Sequence, residues 1–328
     1  MTEFPRSDIS DQAFPGTGRR AISVRDMTQI LVIILLWAIC YPLITTGLAA
    51  FPPLHYAAVR SLLAGVCLLT VAIVFKKSLV PEPDTWLSLA FISVTFTSLG
   101  FAGMFLAGGR ITPGLATVIA NAQPLIAAVL GYFVLAERLN GVRGLALVTG
   151  FAGIVVIAIP GLFDQSSNST PTGIGLVLAG ATGVAIGNVL LKRIANRVDP
   201  LVAMAWILLL GAIPLVVAAA VIEQTVSISV NLSAVLSLVV LSVFGTALAF
   251  VLWLDVLRRA ELNLLNTYSF LAPVFALLIG ILFYNERLSV FEWLGVAVIL
   301  FAVFLASRTN RVVSSTAVLA VPPETNDI

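Results

Sequence analysis

Ten long apolar runs restrict this chain to one kind of architecture. They cover, approximately, residues 30–50, 54–75, 86–107, 114–136, 141–160, 172–191, 201–222, 233–254, 263–284 and 289–307. Each is long enough to cross about 30 Å of hydrocarbon as a helix. A helix satisfies its backbone hydrogen bonds internally, which an isolated strand in lipid cannot do. A transmembrane barrel would need segments of about ten residues alternating apolar and polar, and no such alternation occurs here. Composition agrees: 10% of the 328 residues are charged and 59% are hydrophobic, against about 25% charged in a soluble domain, and the mean hydropathy is +1.07. The expected fold class is an all-α integral membrane bundle of ten transmembrane helices. The polar stretches 1–29 and 308–328 are expected to be disordered tails. The first apolar run is too long for a signal-peptide core and lacks a small-residue cleavage site, so it is expected to stay as the first span.

Loops facing the cytoplasm carry the excess of Lys and Arg. With ten alternating spans, 15 of the 18 basic residues fall on one side: the four arginines of the N-terminal tail, then Lys76, Lys77, Arg138, Arg143, Lys192, Arg193, Arg197, Arg258, Arg259, Arg308 and Arg311. The other side takes Arg110 and Arg287, and Arg60 lies inside a span. One missed or invented span would reverse every later loop and destroy this split. Both termini are therefore expected in the cytoplasm.

The chain also repeats itself. NAQPLIAAVLGYFVLAERL (121–139) returns as FLAPVFALLIGILFYNERL (270–288), with six of 19 positions identical at an offset of 149: Pro124 with Pro273, Ala127 with Ala276, Gly131 with Gly280, and the two Glu-Arg-Leu endings. Phe101 meets Phe250 at the same offset, and the Pro53-Leu54 turn meets Pro200-Leu201 at 147. An offset of five spans is odd, so the second copy points the opposite way through the membrane. This is the inverted-repeat architecture of secondary transporters. Residues 30–160 and 172–307 form the two five-span units, with an external loop at 161–171. Pro124 and Pro273, with the paired Gly131 and Gly280, read as structural hinges.

No paired acidic motif, no nucleophile beside a base and no His-based metal cluster can be assembled, since His55 is the only histidine. Catalysis is not expected, nor is any cofactor, metal or nucleic-acid partner. Cys40 and Cys67 read as small buried hydrophobes. No carboxylate lies near a span midpoint; Asp255, one turn before Arg258 and Arg259, is the nearest candidate for ion coupling, or else an interfacial ion pair. Arg60 is the one charge inside a span, and burying it costs a few kcal/mol on insertion scales, roughly 2.5–3.5. It either anchors a carboxylate or phosphate of a substrate or reaches outward to a helix end. Asn121, Gln123, Asn188, Asn266 and Tyr268 place polar groups at depth, where they serve as interhelical glue or line a wet cavity. Trp37 and Tyr41, one turn apart, and Trp253 either face lipid as part of an aromatic belt or supply a stacking wall for that cavity. Gly183 and Gly187, and Gly141, Gly144, Gly150 and Gly153, read as packing features.

LLWAICYPLITTGLAAFPPLHYAAVRSLLAG near the start, and the two proline-to-Glu-Arg-Leu segments ending each half, resemble the two EamA repeats of the drug/metabolite transporter superfamily. The resemblance covers residues 30 to 307 and implies a central cavity walled chiefly by spans one, three, four, six, eight and nine. It also implies multi-pass residence in the bacterial inner membrane and export of small metabolites, often amino acids or their derivatives. Arg60 matches the arginine common in the second span of the first repeat, and the corresponding AMAWILLLG of the second repeat has none. The expected partners are a small-molecule substrate and the lipid bilayer, with a monomer compatible with the sequence.

Overall fold

A computed structural model describes residues 23–107, 110–111, 116, 119–137, 141–162, 170–223, 231–284 and 289–319, with side chains at all of these except 41, 42, 45, 160–162, 280, 283–284 and 307–319. The helices among them are α1 (Val24–Leu48), α2 (Pro53–Val74), α3 (Pro83–Leu106), α4 (Gln123–Leu135), α5 (Gly141–Leu162), α6 (Pro171–Ile194), α7 (Pro200–Ile222), α8 (Leu232–Arg259), α9 (Leu262–Ser269 continued by Leu271–Tyr284) and α10 (Val290–Leu319). Among the described residues seven helices are long and apolar enough to cross a membrane, and Gln123–Leu135 and Val290–Ala306 are shorter apolar helices.

Local chemistry sets the helix starts. Ser23 and Asp26 form a reciprocal capping box on α1, so the helix begins at Val24 and takes in residues expected in the polar tail. Asp199 caps α7 with Pro200 at the first helical position, and Thr170 with Pro171 does the same for α6, because proline's missing N–H costs nothing there. Asn231 accepts from Ala234 N at 2.8 Å to start α8. At the other end α10 runs on to Leu319, past residue 307. The sequence holds no glycine or proline between 308 and Pro322 to stop it.

The packing has a five-helix periodicity. α5 lies along α10 and α2 along α7; α3 lies against α6 and α7 as α8 lies against α1 and α2; α4 meets α6 as α9 meets α1. Raising every label by five maps this set of contacts onto itself. Small residues permit the closest approaches. A Cβ on Gly153 of α5 would stand 3.0 Å from Gly295 O of α10, and one on Gly295 would stand 2.6 Å from Gly153 O. Gly183 and Gly187 of α6 press on Thr95 and Phe96 of α3. Gly141 and Gly144 face nothing within 4 Å, so only part of the glycine series in that span serves packing.

Two irregularities recur at equivalent places. α3 carries a π-helical segment over Ser93–Leu99 and α8 carries one over Leu241–Leu248. Ahead of α4 the chain turns at Asn121 and Ala122, and α9 is interrupted at Phe270, the position that the offset of 149 pairs with Asn121. Each break lies just before its proline. Pro124 cannot donate to Ala120 O, nor Pro273 to Ser269 O, and proline frees the carbonyl one turn earlier in this way.

Charged contacts join only helix ends that alternation puts on one face. Arg259 Nε bonds Asp26 at 2.9 Å and its Nη1 bonds Asp255 at 2.7 Å, while Gln29 bridges to Arg259 and Asp255. Lys77 meets Asp199 at 2.9 Å, Arg197 meets Asp84, and Arg143 meets Glu261. On the opposite face Glu223 accepts from Leu54 N and His55 N at 2.8 and 3.0 Å. Asp255 is thus held in an interfacial ion-pair network.

Candidate functional site

A cavity of about 250 Å³ lies between α1, α2, α3, α4, α6, α8 and α9. Its wall thus includes α2, through Arg60, in addition to the six spans expected. Trp37 of α1 packs against Trp253 of α8 with centroids 5.2 Å apart and planes tilted by 48°, and Phe250 touches Trp37, Phe96 and Phe101 at 6.3, 5.1 and 6.4 Å. These rings form one continuous aromatic wall. At one end of it the Arg60 guanidinium sits 4.7 Å from the Phe101 centroid; at the other, Trp253 Nε1 donates to Asn188 Oδ1 at 2.9 Å.

Arg60 is 6% exposed. Its Nε donates to Thr246 Oγ1 at 2.7 Å, and that hydroxyl donates in turn to Leu241 O at 3.0 Å, inside the π segment of α8. The irregular turn therefore supplies the group that holds the buried cation, in keeping with the habit of π turns to sit at functional places. In the other half Thr97, paired with Thr246 by the offset of 149, donates to Ile207 O at 3.3 Å. The scaffold repeats while the arginine does not. Among the described residues Arg60 has no carboxylate partner, and it is the only charged residue lining the cavity.

The amides occupy the broken helices. Asn121 and Gln123 line the cavity at the α4 break, and Asn266 and Ser269 line it ahead of the α9 break. Gln123 Nε2 and Asn266 Nδ2 are buried with no hydrogen-bond partner. Ser269 Oγ donates to Asn266 O at 2.7 Å. A buried amide N–H without an acceptor costs about 1–3 kcal/mol, so this wall of the cavity favours groups that accept hydrogen bonds.

Of the nine residues expected to bind substrate, Trp37, Arg60, Asn121, Gln123, Asn188, Trp253 and Asn266 line this cavity. Tyr268 does not. It is 3% exposed and packed in the hydrophobic core, because a helix advances about 100° per residue and so places Tyr268 on the opposite face from Asn266. The side chain of Tyr41, the surroundings of Gly280 and all of Glu286 lie outside what is described. Gly131 O receives the N–H of Ala136, a left-handed residue (φ 52°) that ends α4, so Gly131 takes part in a helix C-cap and not in the break. Phe101, Phe250 and Thr246 were absent from the expected set. Phe101 and Phe250 were detectable through their pairing at the repeat offset, since they are equivalent residues in contact with each other. Cys40 lines the cavity too, its Sγ 3.1 Å from Leu36 O.

Where the charged helix ends meet, Glu137 reaches from the end of α4 to the start of α9. It accepts from Leu262 N at 3.2 Å, Asn263 N at 3.4 Å and Asn263 Nδ2 at 3.0 Å. Lys192 of α6 donates to Leu257 O and Ala260 O at the end of α8, at 2.5 and 2.6 Å. Burial pushes the Glu137 carboxyl above its ordinary range, with Glu261 adding to this, against the backbone donors and Lys192. Burial would also raise Asp199, but Lys77 and the Leu201 and Val202 amides outweigh it and hold that carboxyl low.

Comparison with known proteins bears on this arrangement. Residues 27–159 and 171–308 each match the EamA-like transporter family. A WAT1-related chloroplastic protein of Arabidopsis thaliana is 32% identical over 78% of this chain, which spans 63% of that protein's length. An "uncharacterized transporter" of Synechocystis is 29% identical over 88% of this chain and 92% of its own. A "probable amino-acid metabolite efflux pump" of Escherichia coli is 27% identical over 87% and 95%. A solved crystal structure superposes with a TM-score of 0.74 at 22% identity, over 88% of this chain and 98% of the other; it speaks to the fold alone.

Proposed function

Since the chain belongs to the EamA-like transporter family, we propose that it is a secondary transporter exporting small metabolites, amino acids or their derivatives, across the inner membrane by alternating access. The observation that carries this reading is the cavity lined from both halves, with a broken helix from each half contributing amides to it. Interrupted helices that meet at a cavity are the recurring device of secondary transporters. In this reading all ten helices span the membrane, both termini face the cytoplasm, and the ion-paired helix ends form the cytoplasmic seal. A membrane sensor or scaffold would call for a dry, filled centre, whereas this one is open and lined by unpaired donors.

The aromatic wall and the amides suit a solute with an apolar body and a polar head, and the name of the Escherichia coli relative points to the same class. The test is a counterflow panel in proteoliposomes containing amino acids, N-acylated amino acids, sugar phosphates and nucleotide sugars. Flux should appear for the first two groups and fall about tenfold in Gln123→Leu and Asn188→Leu, the loss of one hydrogen bond of about 1.4 kcal/mol. Flux confined to sugar phosphates or nucleotide sugars would replace the cargo class and keep the transporter; no flux for any solute would remove both.

A further inference from the structure

The charge of the cavity is one-sided. Among the described residues its single charge is the Arg60 guanidinium and no carboxylate lines it, and two of its amides, Gln123 and Asn266, present buried N–H groups without a hydrogen-bond partner. Asn266 is 1% exposed, so its donor has no access to bulk solvent. Asn188 spends its carbonyl oxygen on Trp253. A solute entering this space meets one cation, buried N–H donors and π faces, with the Ala120 and Ser269 carbonyls freed by the two prolines as backbone acceptors. What satisfies it is an acceptor-rich anion with an apolar body.

Resting on the transporter reading, we infer that the cargo crosses as a net anion, a carboxylate whose charge is matched by Arg60 and not cancelled by an ammonium of its own, and that the membrane potential drives its export. The balance of charges follows from the residues present. A zwitterion would bring an ammonium into a cavity that has no carboxylate among its described lining residues to receive it, and a cation would face Arg60 directly. The buried arginine, in turn, gains from an anion the partner that the protein withholds. The same fact supplies the energy. Proton-coupled carriers commonly use an intramembrane acid, and none lines this cavity among the described residues. An organic anion needs no such acid, because an inside-negative potential expels it: about 2.3 kcal/mol per charge at about 100 mV corresponds to about fiftyfold accumulation outside.

The experiment uses three probes with one body: N-acetylphenylalanine as the anion, phenylalanine as the zwitterion and phenylalaninamide as the cation. Binding to the purified full-length protein is read from tryptophan fluorescence, for which Trp37 and Trp253 stand in the cavity wall. Flux is read in proteoliposomes with the potential set by a potassium gradient and valinomycin. The anion should bind at least tenfold more tightly than the other two, and its flux should rise when its own compartment is made negative and fall when the polarity is reversed. Arg60→Gln should reduce anion binding and flux at least tenfold, while Arg60→Lys, which keeps the charge, should keep the dependence on potential and so separate loss of charge from loss of fold. Equal binding of the three probes, flux indifferent to potential, or wild-type anion flux in Arg60→Gln would each overturn the inference. The counterflow panel distinguishes all of these from a chain that moves no solute.

Discussion

At the scale of single residues, the structure separates side chains that close the protein from those that face its cavity. Glu137 belongs to the first kind. Its carboxylate caps the first amides of α9, yet burial raises its pKa from the ordinary 4.5, so the folded protein binds the proton more readily than the unfolded chain. Stability from this group is greatest below about 4.5 and declines as pH rises through the raised value. Glu137→Gln keeps an acceptor for Leu262 N and removes the charge. Its Tm relative to the native chain should therefore increase as pH climbs from about 4 to 8; a relative decrease would show that the α9 amides and Lys192 favour the ionised form. The candidate site was largely legible because polar residues within apolar runs stand out. Tyr268 was misplaced because its polarity was visible and its helical phase was not. Thr246 was missed because a threonine in a span carries no signal until its neighbour is known to be Arg60.

At the scale of elements, the breaks were legible and the π segments were not. Proline marks the interruption beside Asn121 and the one at Phe270 in plain text, whereas a π turn inserts a residue without any characteristic side chain and betrays itself only by a shift of phase. The breaks lead to a prediction. Pro124→Ala and Pro273→Ala should let the chain bond across each interruption, straightening α4 and α9. Each variant should have a Tm equal to or above that of the native chain and lower flux by about tenfold or more, and native flux with either substitution would mean that the breaks are not hinges. The α5 and α10 seam makes the opposite demand. Gly153→Leu forces a side chain against Ile299 and Gly295, an overpacking of about 1–3 kcal/mol or more, and should lower Tm markedly, while Gly144→Leu, facing open space, should not.

For the whole molecule, the alternation of basic loops implied which helix ends share a face, and every ionic contact described here obeys it. Which face meets the cytoplasm can be read directly. In a chain with Cys40 and Cys67 replaced by alanine, a cysteine at exposed Ser233 should react with a membrane-impermeant maleimide on intact cells. One at exposed Ser78 should react only after permeabilisation, and the reverse pattern would invert the topology. The five-helix periodicity was legible in the offset of 149, because matched prolines and glycines mark places where the backbone itself must repeat.

The arginine that the second half lacks has a consequence for direction. Two halves related by a pseudo-two-fold exchange roles when access alternates, and with identical halves the inward and outward forms would be mirror states of equal energy for any cargo. Arg60 lies seven residues from the start of α2, about 10 Å at 1.5 Å per residue, and Ile207, seven residues from the start of α7, offers no cation at the equivalent depth from the other face. On the proposed alternating-access reading a charged solute would feel a different field in the two forms, so a nearly symmetric body would hold its inward and outward states at unequal energy.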